Sequence, residues 1–185
     1  MGGVVDNSDE KLLKLIASDN ENALEVLIDR YMEPLCKFSF SILNSKEEAE
    51  EVVADVFIKL WQNRRSIVLQ GELKNYLFSA VKNQSLNYIK KNAKHKHLDV
   101  EKPELIQLYS SYEADSALCF DELQDNIKAL LSTLPRQQKI VLSLHGIDGF
   151  SLDEIATILN ISKNTAYNHL HLAVKFIANK FNSVL

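Results

Sequence analysis

The sequence predicts an all-α protein, two small helical domains joined by a flexible linker, the C-terminal one a helix-turn-helix. Three observations carry this. Apolar residues make up 46% of the 185 and recur at three- and four-residue steps, the period of a helix with one buried face. Glycine and proline number only 5 and 3, which fits long helices and excludes collagen, disorder and loop-rich β designs. From about Asn92 to Ser116 the period lapses into a polar, mixed stretch, most simply a tether. The expected division is therefore a first domain over 1–94, a linker over 95–116 and a second domain over 117–185, small helical domains of a size that a chain of this length accommodates.

The first helix opens at Ser8-Asp9-Glu10, where a hydroxyl can cap free N–H groups and carboxylates meet the positive dipole end; Leu12, Leu13 and Ile16 form its stripe. Leu24, Leu27, Ile28, Tyr31 and Leu35 continue into Phe38, Ile42 and Leu43 across Pro34, predicting one bent helix or two abutting ones. Ser45-Lys46-Glu47-Glu48 has the spacing of a capping box. Behind it Ala49, Val52, Val53, Val56, Phe57, Leu60 and Trp61 form a core face, and Glu47, Glu51, Asp55, Ile58 and Lys59 lie on or near the opposite one. Ile58 among acids reads as an isolated exposed residue or as part of a docking surface. After Arg64-Arg65 the stretch to Glu72 has no helical period and reads as a loop. Leu73, Tyr76, Leu77, Ala80, Val81 and Tyr88 then supply a buried stripe.

Beyond the tether, Leu118, Leu123, Ile127, Leu130 and Leu131 predict a helix ending near Leu134, and Pro135 opens the next, with Ile140, Val141 and Leu144 inward. Asp148-Gly149 turns the chain, and Ser151-Leu152-Asp153-Glu154 is a second capping box. It opens a short helix with Ile155, Ala156 and Leu159 inward. Asn160, tolerant of the left-handed region, ends that helix, and Ser162 caps a last one carrying Ala166, Leu170, Ala173, Val174 and Ile177. Two helices, a tight turn and a small residue at the crossing are what a helix-turn-helix requires. Its second helix presents Lys163, Asn164, Thr165, Tyr167, Asn168 and His171 for base edges, with Ser162 and Lys175 suited to phosphates.

Net charge is −4, which taken alone argues against binding nucleic acid through diffuse positive charge. The mean hides blocks. Residues 1–60 carry 6 basic and 13 acidic side chains, whereas 74–97 carry 6 lysines and no acid. Within that second block Lys74, Lys82, Asn83, Asn87, Lys90, Lys91 and Lys94 sit beside tyrosines. Lysines neutralise phosphates, while amides and aromatics hydrogen-bond or stack with exposed bases, a mixture suited to single-stranded or melted DNA.

Other functions find little support. Cys36 and Cys119 form no C-x-x-C pair, so neither a disulfide framework nor a thiolate metal site is expected, which suits a reducing cytoplasm. No apolar run approaches the roughly 20 residues of a membrane span, and no signal-peptide pattern opens the chain. His95/His97 and His169/His171 are i,i+2 pairs that diverge on a helix, and no phosphate loop or nucleophile–base set is evident, so no cofactor, metal or catalysis is expected.

The run from Glu48 through Trp61, with Asp55-Val56-Phe57-Ile58-Lys59-Leu60-Trp61 at its end, resembles the region-two helix of extracytoplasmic-function sigma factors, the small two-domain class of bacterial transcription initiation factor. Leu73-Lys74-Asn75-Tyr76-Leu77 through Asn83 is similar to the segment of that family that opens the −10 promoter element. Leu134-Pro135, Gly149-Phe150-Ser151 and Glu154-Ile155-Ala156 through Thr165 resemble region four, which reads the −35 element. Ala54 stands where the family often has Gln, Tyr76 at a usual Trp, and the family's basic residues near Tyr167, His169 and Leu172 are absent. The resemblance implies contacts to core RNA polymerase through Glu51, Asp55, Ile58 and Lys59. It implies −10 contacts through Tyr76, Lys82, Asn83, Asn87, Lys90 and Lys91, with the Arg64–Glu72 loop holding a flipped-out base. It also implies −35 contacts through Ser162, Lys163, Asn164, Thr165, Tyr167, Asn168, His171 and Lys175. Core polymerase and promoter DNA are the expected partners, with an anti-sigma factor as a further one. The competing expectation is a stand-alone helix-turn-helix regulator that needs no polymerase core.

Overall fold

The computed structural model describes residues 8–69, 71–95 and 133–182, and every regular element among them is a helix. The chain divides into two compact units, Met1–Asp99 and Val100–Leu185. The first contains α1 (Asp9–Ala17), α2 (Glu21–Leu43), α3 (Lys46–Gln62) and α4 (Leu73–His95); the second contains α5 (Arg136–Gly146), α6 (Leu152–Leu159) and α7 (Lys163–Asn182). The helix expected over Leu118–Leu131 and the linker from residue 96 to 116 lie outside the described residues; His95, expected to begin the linker, is the last residue of α4.

In the first unit α2 packs against α1, α3 and α4, and α3 packs against α4. Its core is Leu27, Leu35, Phe38 and Ile42 from α2, Val52, Val53, Val56, Phe57 and Leu60 from α3, and Leu77, Phe78 and Val81 from α4. Full burial of one such side chain contributes about 1.5–3 kcal/mol. That explains why α2 is a single helix with Pro34 inside it: buried Tyr31, Leu35 and Phe38 keep one face in register across the proline and outweigh its lost N–H and steric strain. Two serines sit fully buried where α2 meets α4, Ser39 and Ser85, with their hydroxyls 3.1 Å apart and Ser85 also donating to the Val81 carbonyl. Small side chains there let the helices approach closely, and the paired hydroxyls leave neither buried oxygen unsatisfied.

The ends of these helices follow local chemistry. Asn20 accepts from the Ala23 N–H at 3.0 Å, and Ser45 accepts from the Glu48 N–H at 3.3 Å while donating to the Glu47 carboxylate. Ser8 occupies the N-cap position of α1 without a side-chain cap bond. The Asp9 carboxylate beside it instead ties α1 to α2, accepting from Arg30 at 2.5 Å and from the Tyr31 hydroxyl.

The second unit packs α5 and α6 against α7, burying Ile140, Val141, Leu144, Phe150, Ile155, Ile158, Ala166 and Ala173. The inward pair on α6 is Ile155 and Ile158, with Ala156 and Leu159 half-buried; Val174, expected in the core of α7, is 52% exposed. Val174 follows the fully buried Ala173 by one residue, which turns it about 100° around α7 and away from the buried side. The capping box at α6 is complete, Ser151 Oγ accepting from the Glu154 N–H and the Glu154 carboxylate accepting from the Ser151 N–H at 2.8 Å. Asn160 ends α6 at φ 55°, ψ 50°, a left-handed conformation that asparagine tolerates better than alanine. Asn160→Ala is accordingly expected to destabilise the unit by about 1 kcal/mol, read as a lower urea midpoint.

Candidate nucleic-acid interface

Three surfaces gather the residues singled out from the sequence. On α3, Glu51, Asp55, Ile58 and Lys59 fall at steps of four, three and one, on one side of the helix. Ile58 is 52% exposed and Asp55 half-buried. A residue of α4 joins them: the Gln84 amide donates to Asp55 Oδ2 at 3.1 Å and its carbonyl accepts from Lys59 Nζ at 2.8 Å. Tyr88, expected in the core, is instead half-exposed, its hydroxyl 3.5 Å from the Glu51 carboxylate. Neither partner was among the expected site residues, because these contacts link positions 25, 29 and 37 apart in sequence, beyond the reach of periodicity.

On α4, Tyr76, Asn83, Asn87 and Lys90 follow at steps of seven, four and three, and all four are exposed, with Lys91 beside them. Tyr76, also expected in the buried stripe, is 41% exposed; the stripe is completed by Phe78, which periodicity alone had not placed there. Lys82 stands apart from this face. One residue before Asn83, it is displaced by about 100° around the helix and half-buried, and burial pushes its ammonium pKa down. The structure therefore brings Tyr76, Asn83, Asn87, Lys90 and Lys91 together and leaves Lys82 on the flank.

The loop between α3 and α4 is fastened at its start. Arg64 lies over the Trp61 ring, 4.3 Å from its centroid, and donates to the Trp61 carbonyl at 2.8 Å. Arg64 and Arg65 both pair with Asp19 at the α1–α2 turn, Arg64 Nε at 2.6 Å from Oδ1. Hydrogen bonds from Arg65 and then Arg64 hold the Asp19 carboxyl below the usual carboxylate range. Further along, Gly71 takes φ +119°, open to glycine and strained for other residues. Under this loop is a recess of about 750 Å³ whose lining includes Asp9, Arg30, Tyr31, Ile67, Leu69 and Glu72. Charged, hydroxyl and apolar side chains line it together, with Asp9, Arg30 and Tyr31 joined by hydrogen bonds.

In the second unit the turn Asn160–Ser162 aims α7 outward. Ser162 Oγ accepts from the Thr165 N–H at 3.0 Å and lies 2.7 Å from the Thr165 hydroxyl, so both hydroxyls are engaged in starting the helix. Asn164, Tyr167, Asn168, His171 and Lys175 are exposed along one side. Tyr167 and His171 stack at 6.1 Å with their planes 9° apart. Lys163 pairs with Asp153 of α6 at 2.8 Å. His169 is half-buried, and burial lowers its pKa. Among the described residues no group of His, Cys, Asp and Glu is arranged to hold a metal, and no helix is long and apolar enough to cross a membrane.

Comparison with known proteins matches this architecture from both ends. The sigma-70 region 2 model matches residues 27–95, and the sigma-70 region 4 model matches residues 124–177. The extracytoplasmic-function (ECF) RNA polymerase sigma factor SigW of Bacillus subtilis is 27% identical over 169 residues, covering 88% of this chain and 90% of that protein. The ECF sigma-E factor of Escherichia coli K12 is 20% identical over 185 residues, covering 96% of each. The fold is shared with CnrH, solved in complex with the cytosolic domain of CnrY (TM-score 0.62, 18% identity, 95% of this chain and 97% of that one). It is shared too with RpoE of Bartonella quintana, solved with the anti-sigma factor NepR (TM-score 0.63, 21% identity, 85% and 96%). Both halves of a sigma factor are thus present in one helical chain, in the order region 2 then region 4, and the chain belongs to the extracytoplasmic-function sigma factors.

Proposed function

We propose that this sigma factor divides promoter recognition between its two units, with residues 1–95 binding core polymerase and the −10 element, residues 96–116 tethering, and residues 117–185 binding the −35 element. The α3 surface of Glu51, Asp55, Ile58 and Lys59, extended by Gln84, contacts polymerase; an exposed isoleucine ringed by charges is the composition of a small docking patch. The α4 face of Tyr76, Asn83, Asn87, Lys90 and Lys91 meets melted −10 DNA, and Lys82 approaches phosphate from the flank. The recess beneath the α3–α4 loop receives an unstacked base. Ser162, Lys163, Asn164, Thr165, Tyr167, Asn168, His171 and Lys175 serve the −35 element.

The exposed α4 face carries this reading, because it places an aromatic, two amides and two lysines together with no acid between residues 74 and 97. Binding energy opens the strands and traps the unpaired bases; no covalent step, cofactor or metal is required, and the protein works in the cytoplasm beside its polymerase. An anti-sigma factor is a further partner, supported by the fold relative RpoE of Bartonella quintana, solved with the anti-sigma factor NepR. The stand-alone regulator is not favoured, since it leaves the region 2 match unexplained.

Reconstitution with the host's own core polymerase tests the reading. The holoenzyme initiates from its cognate promoter, and Asn83→Ala changes its response to −10 substitutions while −35 dependence stays as in wild type. A folded protein that never comigrates with that core overturns the proposal.

A further inference from the structure

Asp19 combines a strained backbone with a side chain that joins separate elements. It sits just beyond α1, where the Asp19 N–H donates to the Ile16 carbonyl at 3.0 Å and the Asn20 N–H to the Leu15 carbonyl at 3.1 Å, the paired bonds of a Schellman turn. Asp19 takes φ 67° there, a left-handed conformation that glycine adopts freely and that strains an aspartate. The next residue, Asn20, already caps α2, so the turn is fixed on both sides and its carboxylate is held in place. The two carboxylate oxygens are divided between two arginines of the α3–α4 loop, 45 and 46 positions away. Arg64 Nε and Nη2 both lie 2.6 Å from Oδ1, and Arg65 Nη2 pairs with Oδ2. Exposed ion pairs add little to the stability of a fold, whereas one carboxylate shared by two guanidiniums is a firm geometric constraint.

That constraint acts on the recess beneath the loop. One wall is the loop itself, through Ile67, Leu69 and Glu72, and the other is α1 and α2, through Leu13, Ala17 and Tyr31. Asp19 stands two residues past Ala17 and holds the loop at its first turn, which the Ser66 N–H closes onto the Asn63 carbonyl at 2.8 Å. We infer that Asp19 is a positioning residue for −10 opening, pinning the loop to the α1–α2 turn and so setting the width of the recess that receives the unstacked base. The inference rests on the proposed reading of that recess. Strand opening is driven by the enclosure of an unpaired base, and a pocket that must first be ordered encloses it less tightly than one already formed. Asp19 touches no base in this arrangement; it acts through Arg64 and Arg65.

The test uses holoenzyme assembled from the full chain and its host's core, with forked promoter templates whose non-template strand is single-stranded across the −10 element and is either intact or abasic at one position. Wild-type holoenzyme is expected to bind the intact template about tenfold more tightly than the one abasic at the captured position. Asp19→Gly should cut that ratio to about threefold, part of it surviving because Arg64 keeps its place over Trp61. Circular dichroism, urea midpoint and core affinity should stay about as in wild type, since glycine relieves the left-handed strain while both ion pairs are lost. Asp19→Asn, which tolerates the same backbone and keeps one acceptor oxygen, should lie between. An undiminished ratio in Asp19→Gly overturns the inference and leaves base capture standing. So does an equal shift in affinity for intact and abasic templates, the effect of merely freeing two cations for phosphate. Wild-type holoenzyme indifferent to abasic substitution at every −10 position removes the reading of the recess, and this inference with it.

Discussion

Asp55→Arg is expected to lower affinity for core polymerase by about tenfold or more without loss of helical circular dichroism. The substitution reverses a charge in the middle of the α3 surface, one turn from Lys59, and removes the acceptor of the Gln84 amide. Inside the free protein the loss is modest, about 1 kcal/mol for one partly exposed hydrogen bond. Across an interface the same change sets a guanidinium where a partner has been fitted to a carboxylate, and like-charge contacts there cost several kcal/mol. Asp55→Asn separates the two contributions, keeping an acceptor for Gln84 while removing the charge, and should lie between wild type and Asp55→Arg. Fluorescence anisotropy with labelled protein and the host's core measures all three. Equal affinities would move the polymerase contact off this face.

Phe78→Ala should remove about 3–5 kcal/mol of stability, a large share of the roughly 5–15 kcal/mol that holds a typical domain. Phe78 is fully buried, and its ring is tilted at 43° against Phe38 of α2 with centroids 5.2 Å apart. Truncation loses the transfer energy of the ring, leaves a cavity between α2 and α4, and removes an aromatic pair from the core. Phe78→Leu keeps most of the volume and should cost about 1–1.5 kcal/mol. Urea titration followed by circular dichroism gives both values, and a loss under about 1 kcal/mol for Phe78→Ala would exclude it from the core.

What could be read in the sequence was local. The Ser151–Glu154 box, the left-handed Asn160 and the Ser162 cap are each decided within four residues, and each forms as expected. Long apolar periods likewise placed α2 and α3. Errors arose where a second element decides the outcome. Tyr76 has the spacing of the stripe on α4 but lies at its open edge, whereas Phe78 turns onto Phe38. Val174 has helical spacing with Leu170, yet the buried side of α7 runs through Ala173, and Val174 is turned about 100° from it. Ser39 and Ser85 are polar by composition and buried in fact, because each satisfies the other. On the surfaces proposed for polymerase and DNA, the exposure of Asn83, Asn87, Lys90 and Lys91 follows from their helical spacing; the Gln84 bridge and the Asp19 pairing of Arg64 and Arg65 were not legible, since both join separate helices or loops.

The ion pairs of Arg64 and Arg65 with Asp19, and of Lys163 with Asp153, bear on how the free protein spends its time in a cell. A chromosome offers roughly 10⁶–10⁹ non-specific sites, enough to soak up any protein with a bare cationic face. These three cations are already neutralised within the chain and add few released counterions on meeting a duplex, which leaves non-specific attraction chiefly to the lysines of α4. The free protein is therefore expected to hold non-specific duplex less tightly than its count of lysines and arginines alone implies.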